Sequence, residues 1–237
     1  MSKLKVGGLA LLLFMSVHVF SQNKSESMAY HLRPIISEIE VLIGPSSVLI
    51  HGNEKFDSNG ELKVGYAGGF GFIHNFGRRV ALNARILWER KGFRQSQEIS
   101  YTPISGSSPV TGTIKSNTNN DYLTVSVMPR LAFGRFRRFY VGAGVYYGSL
   151  RKSKTTDHYF YPTPYNATIN SKNGFDKYDG GLSFSLGYTF PFRKKASFTI
   201  QLLDNYGLRQ ISKFYNLNPG YLPIRNNSYS VLFGVNF

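Results

Sequence analysis

Ser228-Tyr-Ser-Val-Leu-Phe-Gly-Val-Asn-Phe237 closes the chain, and its side chains alternate. Tyr229, Val231, Phe233, Val235 and Phe237 are large and apolar. Ser228, Ser230, Gly234 and Asn236 between them are small or polar, with Leu232 the one exception. A period of two describes a strand with one apolar face. A soluble chain rarely leaves such a strand as its last element with an aromatic end. An outer-membrane barrel needs one there, because the last strand closes against the first and its terminal aromatic sits in an interfacial girdle.

Working back from that strand, the same alternation recurs. Ile39, Val41 and Ile43 oppose Glu38 and Glu40, and Pro45 to Gly60 reads as a loop. Val64, Tyr66, Phe70 and Phe72 oppose glycines and Ala67. Val80, Leu82, Ala84, Ile86 and Trp88 oppose Ala81, Asn83, Arg85, Leu87 and Glu89, after which a long polar loop is expected. Tyr122 to Phe133 is the fourth strand, with a bulge expected at Pro129, which cannot donate a ladder hydrogen bond. Phe139 to Ser149 is the fifth, followed by a loop holding Tyr159-Phe-Tyr-Pro-Thr-Pro-Tyr165. Leu182 to Phe190 and Phe198 to Leu202 supply the sixth and seventh.

The fold expected is all-β: an eight-stranded antiparallel transmembrane β-barrel with short periplasmic turns and long extracellular loops. The short turns are Asn75–Arg79, Gly134–Arg138 and Pro191–Lys195, rich in Arg and Lys. A lipocalin-type barrel would bury the apolar face instead. Here the opposite face is Gly, Ser, Thr, Arg and Glu. Glycines cannot fill an apolar core, and charges inside one are costly unless paired.

The whole chain agrees. It has 237 residues, a formal charge of +15 and no Cys, which excludes disulfides, thiolate metal sites and a Cys nucleophile. Lys3 and Lys5 before the apolar run Gly7–Phe20, with Val19 and Ser21 ahead of Gln22, predict a signal peptide over 1–21. A periplasmic segment over 22–34 and a barrel over 35–237 complete the expected layout, in the outer membrane of a Gram-negative bacterium. Nucleic acid is excluded as a partner, since the cations gather at turn tips and the aromatics are committed to the lipid face.

Strand parity aims Glu38, Glu40, Arg85, Glu89, Arg130 and Gln201, with Arg209, into the lumen. The reading of that cluster is a structural plug of paired charges; a gated channel is the rival. Phe72, Phe133, Phe139, Phe190, Phe198 and Phe237 are expected at the inner rim, and Tyr66, Trp88, Tyr147 and Tyr229 at the outer. Outer-membrane lipids are therefore expected partners, with an envelope protein complex as a further candidate through the basic turns or external loops. No catalytic, cofactor or metal residues are assigned, and a non-enzymatic role is expected, with an envelope lipid-modifying enzyme as the alternative after the channel. His51 and His158 fall in expected external loops, and Asp157, His158 and Ser153 match no nucleophile motif.

Leu87-Trp-Glu-Arg-Lys-Gly-Phe93, Tyr122-Leu-Thr-Val125, Tyr140-Val-Gly-Ala-Gly-Val-Tyr-Tyr-Gly148 and the terminal Phe237 together resemble the PorT-like outer-membrane β-barrel family of Bacteroidota. The resemblance implies a small barrel of the OmpA/OmpX type. Some members of that family serve a secretion and gliding apparatus, and no catalytic residues carry over. Tyr229, Val231, Phe233, Val235 and Phe237 likewise resemble the signal read by the barrel-insertion machinery, which makes that machinery an expected partner.

Overall fold

Every long strand in the computed structural model pairs with two neighbours, and the pairings return to where they start. The structure describes residues 37–51, 60–77, 79–101, 110–134, 138–160, 165–193, 196–213 and 224–237. The strands are β1 (Ser37–His51), β2 (Gly60–Glu61), β3 (Lys63–Asn75), β4 (Val80–Tyr101), β5 (Val110–Phe133), β6 (Phe139–Tyr159), β7 (Tyr165–Asn170), β8 (Tyr178–Arg193), β9 (Ala196–Gly207) and β10 (Arg225–Asn236). Eight of them form the ring β1-β3-β4-β5-β6-β8-β9-β10, each antiparallel to the next. The last strand returns to the first, Val235 opposite Val41 and Phe233 opposite Ile43. Closing the ring gives each of these strands a neighbour on both sides, although above Glu89 the side of β4 away from β5 is paired only by the two residues of β2.

Alternation separates two surfaces. On the outward side, Ile43, Phe70, Ile86, Val145 and Leu202 are among the many large apolar side chains left exposed. On the inward side, Glu40, Asn83, Glu89, Thr199 and Gln201 are wholly buried. This inverts the arrangement of a water-soluble barrel, whose apolar face would be covered.

Four expectations need correction. The first strand does not end at Gly44 but runs on through Pro45 to His51. Pro45 keeps its place opposite Tyr66 on β3, so the missing N–H costs pairing on the β10 side alone. Pro129 behaves the same way: it stays opposite Leu82 with no register shift. The bulge sits instead between Asp121 and Tyr122, where β6 carries the extra residue Arg151. Third, the polar stretches after Glu89 and Ser149 are mostly strand, not loop. β4 and β5 stay paired from Val80–Leu131 to Tyr101–Val110, and β7 adds to β6 from Tyr159–Tyr165 to Lys154–Asn170. Asn and Gly carry weak strand propensity, but a ladder already running propagates through them because each added pair closes another set of backbone hydrogen bonds. His51 and His158 therefore lie within strands. Fourth, the inward face is not uniformly polar, as described next.

Among the described residues no helix is long and apolar enough to cross a membrane, which says nothing of strands. The expected signal peptide and periplasmic segment, the loop cations Arg78, Arg135, Arg137, Lys194 and Lys195, and residues 161–164 of the tyrosine-rich loop lie outside the described residues.

Candidate functional site: a filled interior and two aromatic rows

Strand parity puts one side chain per strand into each interior level, and the levels differ in chemistry. Nearest the short-turn end, Glu40 of β1 faces Arg85 of β4, with Arg85 Nη2 3.0 Å from Glu40 Oε2 and neither side chain exposed. Arg85 Nη2 also donates to Gln201 Oε1 of β9, which accepts from Tyr140 Oη of β6 at 2.7 Å. The Arg130 guanidinium lies 3.6 Å from the centre of the Tyr140 ring. Asn75 Nδ2 donates to Glu38 Oε1 at 3.2 Å near the mouth. Taking these ions out of water is expensive, and mutual pairing with added hydrogen bonds offsets the cost.

Glycines make the room. An added Cβ on Gly187 would overlap the Tyr140 hydroxyl and ring, and one on Gly71 would come within 2.9 Å of Glu40 Oε2. The large inward side chain on one strand is matched by an absent one on its neighbour.

The next level is apolar. Leu42, Ala67, Leu87, Met128, Leu203 and Leu232, from six strands, form one cluster with every member at 2 % exposure or less. Leu232, which breaks the terminal alternation, belongs to this layer.

Beyond it lies a second charged network. Lys91 Nζ stands 3.1 Å from Asp179 Oδ2 and 3.4 Å from Glu89 Oε2, all three side chains fully buried. Asn205 Nδ2 donates to Glu89 Oε1 at 3.0 Å, and Thr124 Oγ1 to Glu89 Oε2. Tyr146 Oη and Asn226 Nδ2 donate to the two oxygens of Asp179 at 3.2 and 3.1 Å. The Lys91 ammonium lies 4.7 Å from the Tyr146 ring centre, a cation–π contact in a dry setting. Tyr122, Leu150 and Phe175, with Phe93 against them, cap this level.

The six lumenal residues expected from the sequence thus divide between two networks. Glu40, Arg85 and Gln201 bond directly, Arg130 reaches them through Tyr140, Glu38 stays at the mouth, and Glu89 belongs to the other side of the apolar layer. Lys91 and Asp179 were missed because both stretches read as loop. The signal was present, since Lys91 continues the Arg85, Leu87, Glu89 parity and Asp179 continues that of Gly181 and Ser183. Arg209 does not join either network; its guanidinium lies 5.7 Å from the Tyr178 ring centre.

The outward aromatics fall in two rows. Towards the short-turn end, Phe133, Phe139, Tyr188, Phe190, Phe198 and Phe233 pack in succession around the ring, centroids 4.5–6.4 Å apart. Phe72 stacks with His74, and Phe237, 63 % exposed, pairs its backbone with Ile39. Towards the hairpin end, Tyr66, Trp88, Tyr147, Tyr178, Tyr206 and Tyr229 are all outward and exposed. Tyr229, Val231, Phe233 and Val235 alternate outward along β10 as their spacing predicts.

Two observations bear on catalysis and metals. Ser153 is buried and bonded to Asn120, whereas His158 lies five residues on, across the sheet, with Nδ1 2.6 Å from Asn166 Oδ1. Asp157 neighbours His158 in sequence and so points to the opposite face, and the three do not converge. Among the described residues no group of three His, Asp or Glu side chains is arranged to hold a metal ion.

A ring of antiparallel strands, apolar outside and packed with paired charges inside, is the architecture of an outer-membrane barrel. The sequence matches the family described as "Outer membrane protein beta-barrel domain" over residues 20–213, and the chain belongs to that family. No curated protein matches the chain. Among solved structures it is similar to Neisserial surface protein A (8 % identity, 84 % of this chain and 95 % of that one, TM-score 0.44). It is also similar to the outer membrane protein OprG of Pseudomonas aeruginosa (14 %, 86 % and 97 %, TM-score 0.39). The outer membrane protease OmpT of Escherichia coli is a further likeness (9 %, 90 % and 99 %, TM-score 0.35). At such identities and scores the likenesses carry no argument about activity.

Proposed function

We propose that the chain is a sealed, non-enzymatic eight-stranded barrel of the outer membrane that works through its surfaces rather than its lumen. The short turns and both ends of the mature chain lie in the periplasm in this reading, and the tall β4–β5 and β6–β7 hairpins lie outside the cell. A signal peptide over 1–21 delivers it, and the alternating outward residues of β10 present it to the insertion machinery. The two aromatic rows mark the membrane interfaces, where amphipathic rings are favoured.

The interior carries the reading. Two buried charged networks lie on either side of an apolar layer, and an ion crossing that layer would shed its hydration against leucine and methionine. An eight-stranded barrel is just wide enough for side chains to fill. A narrow channel is the second reading, favoured by the charges themselves. Planar-bilayer recording of the refolded mature chain separates them: silence is expected, and steady unitary conductance would overturn the sealed barrel. An assembly role through the external hairpins is supported by their extent, and a mild-detergent pull-down with a near-stoichiometric partner tests it.

A further inference from the structure

The outward face of the barrel changes character abruptly just beyond the outer aromatic row. Below it the face is apolar; above it, on β4, β5 and β6, cations take over. The register sets Arg90, Asp121 and Lys152 side by side, then Asn119 with Lys154, then Arg94 with Asn117 and Thr156, then Ser96 with Lys115 and His158. Opposed residues of an antiparallel pair share a face, so these four rows form one continuous surface. It continues directly from Trp88, Leu123 and Val125 below.

Two depressions are cut into this surface. One is lined by Arg90, Asn119, Asp121, Lys152 and Lys154. The other is lined by Arg94, Ser96, Lys115, Asn117 and His158 among others. Asp121 is the one acid in them, and Arg90 already neutralises it, with Nε 2.7 Å from Oδ1 and Nη2 3.1 Å from Oδ2. Arg94, Lys115, Lys152 and Lys154 remain exposed. Arg90 also lies 4.9 Å from the ring centre of Tyr66, which ties the lowest cation to the aromatic row. Nearby Lys63 senses the concentration of charge. Burial first, then Arg94 and Arg90, draw its amine down from 10.5 to about 8.

We propose that this face binds the phosphorylated headgroup of an outer-leaflet glycolipid. Three features point to that occupant. The cations face sideways, towards the lipid, and not up into solvent. They begin at the level where an aromatic row marks the headgroups and climb the height of a large, anionic headgroup. Asparagine, serine and threonine hydroxyls and amides alternate with them, which suits a sugar bearing several phosphates better than a bare ion. The inference rests on the orientation given under the proposed function.

The test titrates the detergent-folded mature chain with fluorescent rough lipopolysaccharide, with the same glycolipid after phosphate removal, and with dextran sulfate as a soluble polyanion. The phosphorylated form is expected to bind about tenfold tighter than the dephosphorylated one, with the preference weakening as salt rises. Lys115→Glu with Lys154→Glu should abolish the preference. Lys172→Glu with Lys177→Glu, exposed and outside the depressions, makes the same change in net charge and should retain it. Equal affinity for the two glycolipids, a preference surviving in the first double variant, or tighter capture of dextran sulfate would each overturn the proposal. A single Thr168→Cys on β7 separates this from the orientation, since the chain has no other cysteine. Labelling by an impermeant maleimide on whole cells is expected; its absence would overturn the orientation and the glycolipid site together. Labelling without a phosphate preference would overturn the glycolipid site alone.

Discussion

Gly187 and Tyr140 show at the residue scale how a barrel interior is packed. Tyr140 projects from β6 across the lumen to reach Gln201, and its ring occupies the volume a side chain on Gly187 would need. Gly187→Ala should therefore displace Tyr140, break its 2.7 Å bond to Gln201 and disturb Arg130 on the ring face. Overpacking of this kind costs about 1–3 kcal/mol. Gly180→Ala is the control, because its added Cβ would meet nothing nearer than the Tyr146 carbonyl oxygen at 3.4 Å. Urea unfolding in detergent should place the first variant well below wild type and the second close to it; equal midpoints would show that Tyr140 moves freely. That glycines lie opposite long inward side chains is readable from strand parity. Which glycine meets which side chain is not, because partners such as Tyr140 and Gln201 are brought together by neighbours far along the chain.

At the scale of elements, the extended hairpin of β4 and β5 depends on cross-links that no local pattern announces. Lys63, beyond Tyr66 on β3, donates through Nζ to Asn117 Oδ1 and to the Thr118 carbonyl on β5. With its folded-state value lowered to about 8 from 10.5, Lys63 is protonated in both states below about pH 8, and its burial then weighs against folding. Between 8 and 10.5 the unfolded chain holds more protons, so this contribution to stability rises with pH and levels off above 10.5. Wild type should gain on Lys63→Met in urea midpoint between pH 7.5 and 10; a gap independent of pH would contradict the lowered value. The upper part of β5 reads as loop because it is rich in Ser, Thr, Gly and Asn. Its strand state comes from the ladder below, which carries it through strand-disfavouring Asn and Gly.

At the scale of the whole molecule, the proposed sealing is spread over height instead of resting on one gate. Leu87→Ala removes a fully buried side chain from the central layer, a change that costs about 2–5 kcal/mol where the site cannot collapse. The two charged networks on either side remain. The variant should lose stability in urea yet stay silent in planar bilayers. A steady conductance in Leu87→Ala alone would mean that the layer is the gate and the networks are porous. Pairing between strands explains how these charges are tolerated inside: Glu40 is met by Arg85 and Lys91 by Asp179, partners that only the closed ring supplies.

What the sequence determines by itself is periodicity. Alternating side chains from Ile39 to Phe237 are enough to assign strands, to separate an apolar face from a polar one, and to say that the apolar face meets lipid, because a period of two is a local property of an extended backbone. The tertiary structure decides everything that depends on which strands are neighbours. The split of the charges into two networks, the apolar layer that absorbs Leu232, the recruitment of Lys91 and Asp179, and the sideways ladder from Arg90 to Lys115 all come from pairing register. Register is set by ring closure and by the bulge at Asp121, between residues far apart in sequence. No local pattern carries that information.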